Sequence, residues 1–293
     1  MLIKVVAVAV AIAFGVLIPA ESVFAQRAAD VETILYQAAD TLGMLRTSRE
    51  VDGVATMIYS GTGAIVVDGQ TCAMENYQAS VRYPIPNAHH TFPVPGMRVD
   101  FRCAADDGES ERHVQVVAGE LAWNETEPGV GATPAPESVR MRLLQVWILP
   151  QGLVKAAIAA GARTTASVEA GNPVLTFPLP APLDDTLVKI TLDPEVFLYH
   201  TMPTGLKRGF SHRITRLEAQ FDGAAVDVSY SDYQDWNEAD YKSDVLLPGR
   251  IVQKRAGETI LDLTLTQSNT YNPYVVMPVP ENIPWDGAGG PGQ

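Results

Sequence analysis

Five histidines, two cysteines and one run of carboxylates are the residues of this chain whose types could support chemistry. His89 and His90 are adjacent, and neighbouring side chains on a strand point to opposite faces, so the pair reads as a solvated loop rather than two ligands of one metal. Ser211-His212 with a distant Asp would suit hydrolysis, but no G-x-S-x-G elbow presents the serine. Asp232, Asp235, Glu238, Asp240 and Asp244 are interleaved with Tyr233, Trp236 and Tyr241. A glycosidase pair needs a cleft that raises the pKa of one carboxyl. A calcium loop needs alternating ligands around a central Gly, which 232–244 lacks. The run reads as a solvated hairpin connection. No catalytic residue, metal ligand or cofactor is expected from these groups.

Cys72 and Cys103 are the only cysteines. Two thiolates so far apart, without nearby His pairs, make a poor metal site, and no CxxC is present for redox exchange. A structural disulfide is the favoured pairing. By the loop-entropy argument it would stabilise the fold by about 3–4 kcal/mol.

The largest apolar signal lies in 137–160. Val139, Leu143, Val146 and Trp147 keep helical spacing, as do Leu153, Ala156, Ala157 and Ala160. Pro150-Gln151-Gly152 interrupts them, so two short helices at an angle are expected. Two readings of this face stay open. It is sheet-packing core, or part of it (Leu143, Val146, Trp147 and Leu153) joins Phe197, Tyr199 and Phe210 in lining a ligand cavity between sheet and helices.

These positions need elements to hold them. Residues 28–45 repeat apolar side chains at three- and four-residue steps, an amphipathic helix of about five turns. Strands are expected at 54–60, stopped by Gly61-Thr62-Gly63, and at 64–67, 77–83, 98–102 and 113–117. A Pro-rich irregular connection spans 84–95, and 125–136 is a loop. Strands return at 165–169, 174–177 and 187–192. Alternation is clearest at 213–221, 225–233, 250–255 and 259–267, with turns at Asp68-Gly69, Asp222-Gly223 and Ala256-Gly257. Residues 282–293 read as a frayed tail. Helix, strands, helix pair, strands is the order of an α+β layer.

Residues 1–26 divide like a secretory signal: Lys4, an apolar run over 5–18, and Val23-Phe24-Ala25 before a cut after Ala25. The run is short for a membrane span, which takes about 20 apolar residues. Lys4 and Glu21 leave together, so the net charge of −13 persists. With 34 acidic residues against 21 basic, the chain lacks the cationic face that nucleic acid or anionic lipid surfaces require. Hydrophobic residues at 46% exclude disorder by composition, and 21 Pro with 23 Gly suit a turn-rich β fold.

A set of short motifs carries a resemblance. Ala39-Asp-Thr-Leu-Gly43, Tyr59-Ser-Gly61-Thr-Gly63 and Gly69-Gln70 come first. Val146-Trp-Ile-Leu-Pro150-Gln-Gly152-Leu-Val-Lys155-Ala-Ala157 follows. Tyr230-Ser-Asp232-Tyr233, Leu247-Pro248-Gly-Arg250-Ile-Val-Gln253, Ile260-Leu-Asp262-Leu-Thr264 and Asn272 complete it. In this order the chain resembles the LolA-like/LppX-like half-barrel (outer-membrane lipoprotein carrier-like) domain that precedes metallo-β-lactamase-fold hydrolases in many exported bacterial proteins. The resemblance implies a curved antiparallel β-sheet, an incomplete barrel, with helices packed across the concave face. It also implies an interior that carries a lipid or acyl chain. Two departures stand out: no HxHxDH metal signature is present, and Gln151 occupies a position where close relatives would have His.

The combined expectation is a signal peptide over 1–25, one LolA-like domain over 26–284 and a flexible tail over 285–293. The protein would be periplasmic or secreted, without a stable membrane span. It would bind an apolar ligand, or alternatively act as an interaction scaffold for a separately encoded enzyme and hold no small molecule.

Overall fold

The computed structural model describes residues 30–45, 53–84, 94–104, 110–201, 207–235, 246–270 and 272–284. The expected signal, His89, His90 and most of the acidic run (236–245) lie outside them, as do 285–293.

Helix α1 (Val31–Thr41) is three turns, shorter than the five expected. Asp30 sets its start: the side chain accepts from the Glu32 N–H while its own backbone stays extended. The far end is fixed by the Thr41 hydroxyl, which donates to the Ser211 carbonyl at 2.6 Å.

Two long strands follow, β1 (Thr56–Val67) and β2 (Gln70–Arg82). The expected stop at 61–63 is corrected: β1 runs straight through it with bulges against both neighbours. The glycines allow this. A Cβ on Gly63 would stand 1.9 Å from the Asp262 carbonyl oxygen, so only a residue without one lets the partner strand approach there. The sheet continues with β3 (Gly96–Cys103), β4 (Glu111–Ala118), β5 (Leu121–Glu125) and the two-residue β6 (Thr133–Pro134). Strand β5 and β6 fall where no strand was expected.

Helices α2 (Val139–Trp147) and α3 (Pro150–Ala160) form the broken pair, meeting at 97°. Pro150 occupies the first turn of α3, where its missing N–H costs nothing, so the break falls before it. Beyond lie β7 (Thr165–Glu169), β8 (Asn172–Pro178) and β9 (Leu187–Asp193). A separate hairpin, β10 (Phe197–Thr201) with β11 (Lys207–Phe210), precedes β12 (Arg213–Phe221) and β13 (Ala224–Ser231). A second small pair, β14 (Gln234–Asp235) with β15 (Leu246–Leu247), leads to β16 (Arg250–Arg255) and β17 (Glu258–Asn269).

Thirteen strands form one antiparallel sheet in the order β6-β5-β4-β3-β2-β1-β17-β16-β13-β12-β9-β8-β7. Its terminal strands do not pair, so the sheet is open. It is also curved. Helix α2 packs on β3 and β4 while α3, joined to it at the corner, packs on β8. From β3 to β8 are eight strand steps, about 38 Å on a flat sheet at ~4.8 Å per step, and the two helices together are only about 30 Å long. Only a sheet wrapped around the helices makes both contacts. The α+β fold with helices across a concave face is therefore what the protein has.

The main core fills that concavity with the inward residues of both sheet halves and the helices. A smaller core covers the outer face near β4 and β5, where Val275, Met277 and Ile283 pack on Val114, Val116 and Trp123. Residues 282–284 are thus not part of a frayed tail: Ile283 is buried and the Asn282 side-chain amide donates to the Ala132 carbonyl. Cys72 and Cys103 are disulfide-bonded, joining β2 to β3. Among the described residues no single helix is long and apolar enough to cross a membrane.

Candidate functional site

The candidate site is the seam between the α2–α3 corner and the concave sheet. Leu143, Val146 and Trp147 reach it from α2 and Leu153 from α3, each buried in the main core. Phe197, Tyr199 and Phe210 belong to the β10–β11 hairpin, where Phe197 pairs with Phe210, a hairpin whose β11 packs on α1. The four helical residues are therefore brought together by the corner, while the hairpin residues lie on an element that borders α1.

The corner itself depends on Gly152. A Cβ there would stand 2.7 Å from the Val146 oxygen and 2.8 Å from the Trp147 oxygen, so the turn closes only around a bare Cα. The chain then exposes the carbonyls of 146 and 148 at the end of α2, where no further helical N–H can reach them. Two tyrosines from the sheet supply the missing donors. Tyr83, just after β2, donates to the Val146 carbonyl at 3.3 Å, and Tyr230 on β13 donates to the Ile148 carbonyl at 2.5 Å. Tyr83 also accepts from the Gly152 N–H, packs on the Trp147 ring and carries Lys155 over its face. Burial raises the hydroxyl pKa of both tyrosines, so each stays a donor at any neutral pH.

Two glutamine contacts complete the polar attachment of the corner. Gln145 donates to the Gln253 side-chain oxygen at 3.0 Å, and Gln151 donates to the Leu246 carbonyl at 3.4 Å. Three polar atoms in the same layer are buried with no protein partner among the described residues: Trp147 Nε1, Gln151 Oε1 and Gln253 Nε2. Their residues are 3%, 0% and 1% exposed, and such orphans are uncommon in a closed core. Sequence reasoning missed Tyr83, Tyr230, Gln145 and Gln253 as parts of this site. The inward alternation of 225–233 and 250–255 marked Tyr230 and Gln253 as facing one side, but not what they face.

The flank of α2 is fixed by Arg142, which donates to the carbonyls of Val116 and Trp123 and to the Asn124 side chain. Desolvation pulls its pKa down to about 10, still far above neutral, so the anchor stays charged. Beside the corner, four inward rings form a row across β1 to β4. Tyr59 and Tyr77 are 6.0 Å apart, Tyr77 and Phe101 6.4 Å, and Phe101 and His113 5.0 Å. Burial raises Tyr59 well above the usual tyrosine range and Tyr77 to about 12.

The remaining chemistry-bearing residues are arranged otherwise. His212 Nδ1 stands 2.9 Å from Ser211 Oγ, yet the nearby Asp193 carboxylate is engaged by Arg213 and by the Glu195 N–H. Among the described residues no three His, Cys, Asp or Glu side chains group as a metal site would require. No family model matches the chain, and no curated protein is significantly similar to it.

Proposed function

We propose that the protein binds an apolar ligand, a lipid or acyl chain, between the curved sheet and the α2–α3 corner, and serves as an exported carrier or chaperone for it. The observation that supports this reading is the construction of the seam. The contact between the helix layer and the sheet is mainly apolar, with a few polar contacts from Tyr83, Tyr230, Gln145 and Gln151 at the corner and from Arg142 on the flank. Apolar contact is non-directional, so an acyl chain can pack against these side chains in more than one arrangement. The unpaired Trp147 Nε1, Gln151 Oε1 and Gln253 Nε2 then offer hydrogen bonds to a ligand's ester or head group. The half-barrel resemblance noted from the sequence points the same way.

Extraction of the full chain from its native host, followed by lipid mass spectrometry, tests the proposal. A stoichiometric lipid, displaced by an apolar fluorescent probe, is the expected result. A ligand-free protein that excludes such probes overturns it, and in that case a stable stoichiometric partner in pull-downs supports the interaction-scaffold alternative.

A further inference from the structure

On the sheet's outer face, opposite the helices, β1, β2, β3, β4 and β17 surround a depression of about 340 Å3. Its position follows from irregular pairing at one level of the sheet. Register shifts occur at Ser60/Gly61 against β17, at Gly61/Gly63 against β2 and at Met74/Asn76 against β3. Bulges re-aim side chains and bend the sheet, and three at one level accompany a shallow bowl in its outer surface. Regular pairing on either side stacks the outward residues in rows: Ser60 beside Gln78 beside Asp100, and Asn76 beside Arg102 beside Arg112. The disulfide at Cys103 adjoins Arg102 and ties β2 to β3 at the rim.

The chemistry of this bowl is the reverse of the seam. Its charged members balance, Arg102 and Arg112 against Glu75 and Asp100, so it attracts neither an anion nor a cation strongly. Arg112 is already committed to Asp100 through two bonds of 2.9 and 2.6 Å. Arg102 reaches only Ser110 among the described residues, and at 3.5 Å. Of the neutral members, Ser60, Thr62 and Thr266 bring hydroxyls and Asn76 and Gln78 amides, while Gly61 and Tyr77 complete the lining. Hydroxyls and amides each both donate and accept, while the carboxylates accept and the guanidinium donates. An apolar ligand would strip all of these of water without replacing their bonds. A ligand with hydroxyls around its whole rim satisfies them, and the volume lies at the low end of the small-molecule range of about 300–1,000 Å3.

We propose that this outer-face depression is a binding site for a small neutral saccharide, either free or as the terminal sugar of a glycan. Asn76, Gln78 and the free edge of Arg102 make the direct hydrogen bonds, and the Asp100–Arg112 pair fixes the floor. The site is on the opposite face of the sheet from the apolar seam and does not depend on it.

Calorimetric titration of the full chain with glucose, N-acetylglucosamine and maltose, and with inorganic phosphate as an anion probe, tests the assignment. At least one sugar is expected to bind, and binding is expected to weaken at least about tenfold, or about 1.4 kcal/mol, in the Asn76→Ala/Gln78→Ala variant. If that variant does not fold by circular dichroism, Arg102→Gln is expected to give the same loss. Binding of maltose better than glucose identifies a glycan as the source, and equal binding a free sugar. Absence of heat with every sugar up to about 10 mM, enough to saturate a millimolar site, overturns the proposal. So does phosphate binding without sugar binding, or sugar binding that survives the substitutions in a folded protein.

Discussion

The hydroxyls of Tyr83 and Tyr230 close on carbonyls two residues apart, those of Val146 and Ile148. Tyr83 directly follows β2 and Tyr230 lies on β13, strands four places apart in the sheet, about 19 Å if the sheet were flat. Side chains stand roughly perpendicular to a sheet, so the two hydroxyls meet at one helix corner only because the sheet curves around it. The pair thus couples the curvature of the sheet to the position of the helices.

Removing either hydroxyl leaves a buried carbonyl without its donor. Tyr230→Phe is expected to cost about 1–3 kcal/mol in urea denaturation, and Tyr83→Phe less, since its bond is the longer one. Because both hold the same corner, the double variant should depart from the sum of the two. Strict additivity would separate them.

Gly152→Ala forces a methyl group against the Val146 and Trp147 oxygens. The corner must open, at an expected cost of about 1–3 kcal/mol. If the seam takes apolar ligands, the loosened corner should also take up an apolar fluorescent probe faster than the parent chain does.

Cys72 and Cys103 are separated by 31 positions, and their bond restricts the unfolded chain more than it alters strands that are already paired. Reduction, or the Cys72→Ser/Cys103→Ser variant, should lower stability by about 3–4 kcal/mol in denaturant titration. The far-ultraviolet spectrum should stay unchanged.

Asn272 sits at φ 51°, and its side chain serves three backbone groups: it accepts from Ala55 and Thr56 and donates to Gly53. Asn272→Ala loses all three and places a less tolerant residue in a left-handed conformation, an expected loss of about 2–4 kcal/mol. Asn272→Asp keeps the two accepted bonds and should fall between. Thermal melts of the three proteins order them.

His212, half-buried beside Asp193, has its pKa held below 6.5, chiefly by desolvation. The unfolded chain therefore binds this proton first as the medium is acidified. Stability attributable to the neutral ring is complete above pH 6.5 and is lost as pH falls from there through the folded value. His212→Asn, which tolerates the positive φ of 63° at this position, should flatten that part of the stability curve between pH 7 and 5. An unchanged slope would place the acid sensitivity elsewhere.

Much of the fold is legible in local sequence. Strands β7, β12 and β16 have the limits that alternation sets, and Asp68-Gly69, Asp222-Gly223 and Ala256-Gly257 turn with positive φ at both residues. The helix break before Pro150 and the Cys72–Cys103 bond also follow from residue type. Local patterns misled where the reason was non-local. Gly61 and Gly63 look like a strand end, yet they serve the close approach of β17, some two hundred residues later.

The sequence by itself therefore determined the helices, the longer hairpin strands, their order and the apolar face of the α2–α3 pair, because periodicity and turn chemistry act over a few residues. Only the tertiary structure decided how far the sheet curves, which tyrosines and glutamines meet the corner, and that bulges on three strand pairs line up into one outer bowl. Those are properties of register between distant strands, which no short stretch of sequence records.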